Sequence, residues 1–86
     1  MALFQGRNFY LSKEVHRYFG NNPGHPDAKC LFNAFQEIAS GNFKLNPYYQ
    51  TGLLCHIDCN HIIVVSATRS GDILIVDLLP PHAQPC

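Results

Sequence analysis

The sequence predicts a small α+β domain in which helices from the N-terminal half pack on a small antiparallel sheet. Three observations carry this. Two segments in the first forty residues place apolar side chains at helical spacing, the second half holds short β-branched runs separated by turn chemistry, and 86 residues allow one domain over 1–86.

Residues 11–20, LSKEVHRYFG, read as the first helix, with Ser12 as N-cap, Val15, Tyr18 and Phe19 on one stripe and Gly20 as the stop. His16 reads as a surface or half-buried imidazole. NNPGHP at 21–26 is an ordered loop, because two prolines and a glycine break regular structure. Asp27 then caps a second helix, about 27–40, whose Leu31, Ala34, Phe35 and Ile38 form the buried stripe and which Ser40-Gly41-Asn42 ends. In FKLNPYYQTGLLCHIDCN, Pro47 interrupts the first part and residues 53–57 form a strand. That strand shows Leu53, Cys55 and Ile57 on one face and Leu54 and His56 on the other, while Tyr48 and Tyr49 read as packing residues. A hairpin spans 61–77, HIIVVSATRSGDILIVD, with Ser70-Gly71 in its turn, and 80–86 is a Pro-rich extended tail.

Six basic and six acidic residues give zero formal net charge, so no electrostatic field favours nucleic acid or an anionic membrane. No run reaches the roughly 18–20 apolar residues of a membrane span, and no basic-then-apolar leader opens the chain. A soluble protein without a signal peptide is expected. On that expectation Cys30, Cys55, Cys59 and Cys86 read as free thiols. ALFQG at 2–6 looks like a cut site for a picornaviral-type protease.

The chemistry concentrates in Cys30, His61 and Asp77. In the hairpin, side chains alternate, so a loop with an odd number of residues, such as Ala67 to Gly71, sets His61 directly opposite Asp77. Their Cβ atoms would then lie about 4.5–5.5 Å apart, within reach of a carboxylate–imidazole bond. A loop of even length puts them on opposite faces. Cys30 falls in the first turn of the second helix, where the macrodipole and unpaired N–H groups favour a thiolate, and it sits at the edge of the buried stripe.

Cys, His and Asp in this order resemble the papain-like fold. The matching stretches are AKCLFNAF, NHIIVV and GDILIVD, over about residues 21–79. Within that superfamily the chain is most similar to the papain-fold toxins and effectors of bacteria, which include protein-glutamine deamidases. NNPGHPDAKCLFNA followed by SGN carries that likeness, although Lys29 stands where the toxin pattern has Asn. The resemblance implies a minimal papain-like fold and a thiol-dependent amide hydrolase without cofactor. Its substrate would be a protein, attacked at a glutamine side chain or a peptide bond, and a cognate immunity or inhibitor protein is a further implied partner. Action in the cytosol of a target cell is also implied. His61 would take the Cys30 proton, Asp77 would fix the ring, and the Cys30 backbone N–H would meet the oxyanion. The upstream glutamine of papain-like peptidases has no counterpart, which leaves Asn22 and His25 as the candidate second donors.

Two other classes compete. Cys55, His56, Cys59 and His61, with Asp58 as a substitute, could hold zinc, but neighbours 55 and 56 project oppositely from a strand. A non-catalytic binding module of the same fold is the other alternative.

Overall fold

A computed structural model describes residues 2–3, 8–48, 52–68 and 71–82. In chain order the elements are β1 (Ala2–Leu3), β2 (Phe9–Leu11), α1 (Lys13–Asn21), α2 (Ala28–Ala39), β3 (Lys44–Tyr48), β4 (Leu53–Asp58), β5 (His61–Ala67) and β6 (Ile73–Leu79). The strands form a sheet in the order β1-β3-β4-β5-β6-β2. The α+β class stands, but the sheet is mixed rather than antiparallel, because β2 runs parallel to β6. Among the described residues, no helix is long and apolar enough to cross a membrane.

Both helices follow from their apolar spacing, with ends that differ from expectation. Ser12 caps α1 as expected, its Oγ accepting the Val15 N–H at 3.2 Å. Gly20 does not stop the helix, which runs on to Asn21. Pro23 supplies the reason, since the residue before a proline is driven out of helical geometry. Asn22 closes the end, its N–H donating to the Phe19 carbonyl and its side-chain amide to the Tyr18 carbonyl at 2.7 Å. Asp27 precedes α2, but its side chain makes no capping bond. At the other end Gly41 takes φ +77°, and the Gly41 and Asn42 N–H groups return to the carbonyls of Ile38 and Glu37.

Three strands were not expected, β1, β2 and β3. β3 contains Pro47, which cannot donate to a ladder; among the described residues β1 pairs with Lys44 and Leu45 and not with Pro47, at the far end of β3. β2 is three residues long and runs directly into the α1 cap, which hides it within an apparent helical stretch. Asp72, buried in the loop before β6, anchors β2 by accepting the Asn8 N–H at 3.1 Å.

The core lies between the helices and one sheet face. Val15 of α1 and Leu31, Ala34, Phe35, Ile38 and Ala39 of α2 pack on Leu45, Ile63, Val65, Ile73 and Ile75. Cys55, Ile62 and Val64 belong to the opposite face, with Tyr48, Leu53, Val76 and Leu79 against them.

The β5–β6 loop has five residues, Thr68 to Asp72, and Gly71 takes φ +87° there; Ser70 lies outside the described residues. From Ala67↔Ile73 to Val65↔Ile75 the register keeps the parity that would put His61 and Asp77 on one face, although it points His61 at Leu79 rather than directly at Asp77. A bulge between Val64 and Val65 then adds one residue on β6. Beyond it Asp77 opposes Val64 on the face away from the helices, whereas His61, two residues before Ile63, stays on the helix face.

Phe35 is fully buried, with the rings of Phe9, Phe32 and Phe19 around it at 5.6, 5.5 and 6.4 Å. Phe35→Ala is expected to cost about 3–5 kcal/mol, read from the shift of the urea midpoint at unchanged slope.

Candidate functional site

Cys30 is the third residue of α2, and its side chain is exposed at a groove lined by Pro26, Lys29, Phe32, Asn33 and Gln36. It is not a free thiol. A disulfide joins it to Cys59, with the two Cα atoms 5.9 Å apart. Cys55, buried on the far sheet face, is also disulfide-bonded. The expectation of reduced cysteines is therefore corrected for all three; Cys86, Tyr49 and the ends of the ALFQG and tail segments lie outside the described residues.

Cys59 occupies the two-residue turn between β4 and β5. Cys59 and Asn60 have φ of 53° and 61°, the left-handed pair of a type I′ hairpin closed by Asp58 and His61. Asn accepts this conformation readily; for Cys it carries strain. The Asp58 carboxylate steadies the turn by accepting the Cys59 N–H at 2.8 Å. The disulfide thus ties the first turn of α2 to the residue two before His61.

Around His61 the hydrogen bonds have a single direction. Its Nδ1 lies 2.8 Å from the Cys59 carbonyl, which can only accept, so Nδ1 carries the proton. In the neutral ring Nε2 is then an acceptor, and Tyr18 Oη lies 3.4 Å from it. His25 is fixed from its other side: the Asp27 N–H donates to its Nδ1 at 3.0 Å, leaving the proton on Nε2, which meets Tyr18 Oη at 2.7 Å. The series runs from the Asp27 amide through His25, Tyr18 and His61 to the Cys59 carbonyl. The three rings form one half-buried cluster, with centroids 5.3, 6.2 and 5.5 Å apart. Two main-chain groups at its ends set both tautomers.

Of the expected triad, the fold brings Cys30 and His61 to the same corner through Cys59 and leaves Asp77 outside it. Asp77 is exposed, and its Oδ1 accepts the Leu78 N–H next to it at 2.8 Å. The ring-holding role falls to the Cys59 carbonyl. Asn22 and His25, the expected oxyanion donors, both donate to Tyr18, at its main-chain carbonyl and its hydroxyl. Tyr18 went unnoticed in the sequence because it reads as one more member of the apolar stripe Val15, Tyr18, Phe19.

The proposed zinc set does not converge. Cys55 is buried on one face, while His56 stacks on Phe43 at 4.3 Å and lies 3.8 Å from Asp58. Among the described residues the metal-capable group is Cys30, Asp58 and Cys59, two of whose donors are in the disulfide. His16 is exposed, as expected. No family model, curated protein or solved structure matches the chain.

Two outcomes follow. In ¹⁵N spectra at a pH where both rings are neutral, His25 should appear as the Nε2–H tautomer and His61 as the Nδ1–H tautomer; rapid exchange in either ring would contradict the directional series. Cys59→Ser, which opens a crosslink of sequence separation 29, should lower the unfolding free energy by about 3–4 kcal/mol in urea titrations.

Proposed function

We propose that the chain is a thiol-dependent amide hydrolase in an oxidised, latent state, with Cys30 as nucleophile and His61 as its base. One observation carries the reading. The sulfur on the first turn of α2, at the rim of a groove, is bonded to the residue whose carbonyl holds His61 with its Nε2 free of a proton. A dithiol reductant would open the crosslink by exchange, giving the Cys30 and Cys59 thiols and leaving the reductant as its own disulfide.

The freed Cys30 thiol passes its proton to His61 Nε2, and the thiolate attacks an amide carbonyl. His61 then returns the proton to the departing amine or ammonia, leaving a thioester. Water, activated by His61, hydrolyses that thioester and regenerates the thiol. The Cys59 carbonyl keeps the ring oriented throughout, in the place assigned to Asp77. Lys29 and the amino end of α2 favour the thiolate. A minimal papain-like fold, a protein substrate attacked at glutamine or at a peptide bond, effector action with an inhibitor partner, and release of the thiol in a reducing cytosol extend the sequence resemblance and are part of this proposal.

A second reading has its own observation. With Cys30, Cys55 and Cys59 all oxidised, the crosslinks of a small domain serve stability, and the chain is a binding module. Alkylation separates the two. After reduction, iodoacetamide should modify Cys30 ahead of the other cysteines, and His61→Ala should abolish that lead. Ammonia release from glutamine-containing proteins should require reductant, disappear in Cys30→Ala and fall about 10²–10⁴-fold in His61→Ala. Equal alkylation of all cysteines, with no release, supports the module instead.

A further inference from the structure

We propose that opening the Cys30–Cys59 crosslink creates a zinc site, with the Cys30 and Cys59 thiolates and the Asp58 carboxylate as three ligands and water as the fourth. The site needs only a reduced crosslink and three donors, so it holds whether or not Cys30 is a nucleophile.

One donor atom from each of Cys30, Asp58 and Cys59 lies within 4.8 Å of the other two. Tetrahedral zinc, with Zn–S bonds of about 2.3 Å and a Zn–O bond of about 2.1 Å, sets the sulfurs about 3.8 Å apart and each sulfur about 3.6 Å from the oxygen. The carboxylate is already held close to that span. The sulfurs must separate once their bond is broken, and with Cα atoms 5.9 Å apart a turn about χ1 of the exposed Cys30 supplies the separation without moving the backbone. Among the described residues no fourth His, Cys, Asp or Glu joins the group, so water completes the tetrahedron.

The scaffold that presents these donors does not consist of the sulfur–sulfur bond. Cys59 is carried by the tight turn that Asp58 and His61 close, and its N–H holds Asp58 Oδ1 at 2.8 Å, which keeps the carboxylate at the turn. Cys30 is carried by α2, whose Leu31, Ala34, Phe35 and Ile38 are packed in the core. Zinc would therefore restore, between α2 and the turn, the tie that reduction removes.

The donor set selects the metal. Calcium and magnesium take oxygen ligands, whereas two soft thiolates with one carboxylate in a tetrahedral site suit zinc. A dithiol first converts the S–S bond into two S–H bonds and leaves as its own disulfide; zinc then replaces both thiol protons, which pass to water, as two Zn–S bonds form. Two thiolates and a carboxylate carry three negative charges, of which zinc cancels two. Lys29, next to Cys30, and the amino end of α2 offset the remainder. If Cys30 is the nucleophile, the metal occupies its lone pair and keeps it from an amide carbonyl, a second lock after the disulfide.

The oxidised chain and the chain reduced with a phosphine are dialysed against Zn²⁺, and bound metal is measured. One zinc per reduced chain and none on the oxidised chain is expected. Co²⁺ in its place should give thiolate-to-cobalt charge-transfer absorption and the visible bands of tetrahedral cobalt. Zinc should also move the urea midpoint of the reduced chain upward, because it binds the folded arrangement. Cys30→Ser and Cys59→Ser should each abolish tight binding, and Cys55→Ser should retain it. Asp58→Asn keeps both thiols and can still accept the Cys59 N–H, yet it should weaken zinc by at least about 10-fold. No zinc on the reduced chain, zinc that survives loss of Cys30 or Cys59, an affinity unchanged in Asp58→Asn, or binding without a shift of the urea midpoint would each overturn the site.

Discussion

The bond between Cys30 and Cys59 is the constraint on which the corner around Tyr18, His25 and His61 depends. It spans two chain segments that share no strand pairing, the opening turn of α2 and the tight turn between β4 and β5. On one side of it the 22–27 loop holds His25; on the other the hairpin presents His61. Tyr18, from α1, bridges them. Without the crosslink the hairpin would still close through Asp58 and His61, but the left-handed Cys59 would lose what fixes its side chain to the helix. The strained turn and the crosslink therefore act as one device.

A single added residue decides which groups share the site. The bulge between Val64 and Val65 leaves the loop-proximal half of β5 and β6 in one parity and the distal half in the other. Val76 is thereby accommodated, and Leu78 can join Ile73 and Ile75 on the helix side while Leu79 faces away beside Ile62. The same shift sends Asp77 to solvent. Core packing at the end of β6 and removal of a carboxylate from the imidazole are one event.

How much of this was legible depended on whether the signal was local. The stripes of α1 and α2, the Ser12 cap, the Gly41 stop and the alternation of β4 are written at fixed spacings, and they appear as expected. β3 was hidden by Pro47, whose tolerance depends on which side of the strand is paired. β2 was hidden by brevity. The bulge has no residue signature in VVSATRSGDILIVD, so loop parity alone misplaced Asp77. The disulfide was obscured because Cys30 and Cys59 stand 29 residues apart and only the packing of α2 against the β4–β5 turn brings them together. Tyr18 was obscured by its hydrophobic ring, since a phenol in an apolar stripe looks like core until its hydroxyl partners are seen. The place of His25 in the loop before α2 is legible, but the bond it makes depends on the Asp27 amide, a group no side-chain pattern displays.

The parallel pairing of β2 with β6 has a consequence for how the chain acquires its shape. Ser12 caps α1 and also joins β6, its N–H reaching the Ile75 carbonyl at 3.0 Å and its hydroxyl the Val76 carbonyl at 2.8 Å. The Ser12 and Val76 partners lie 64 residues apart, so an emerging polypeptide holds β2 and the cap of its first helix without these partners until β6 has left the ribosome. Ring closure over that distance is slow compared with the two local hairpins, β4–β5 and β5–β6, which form early and wait for the amino-terminal segment to dock.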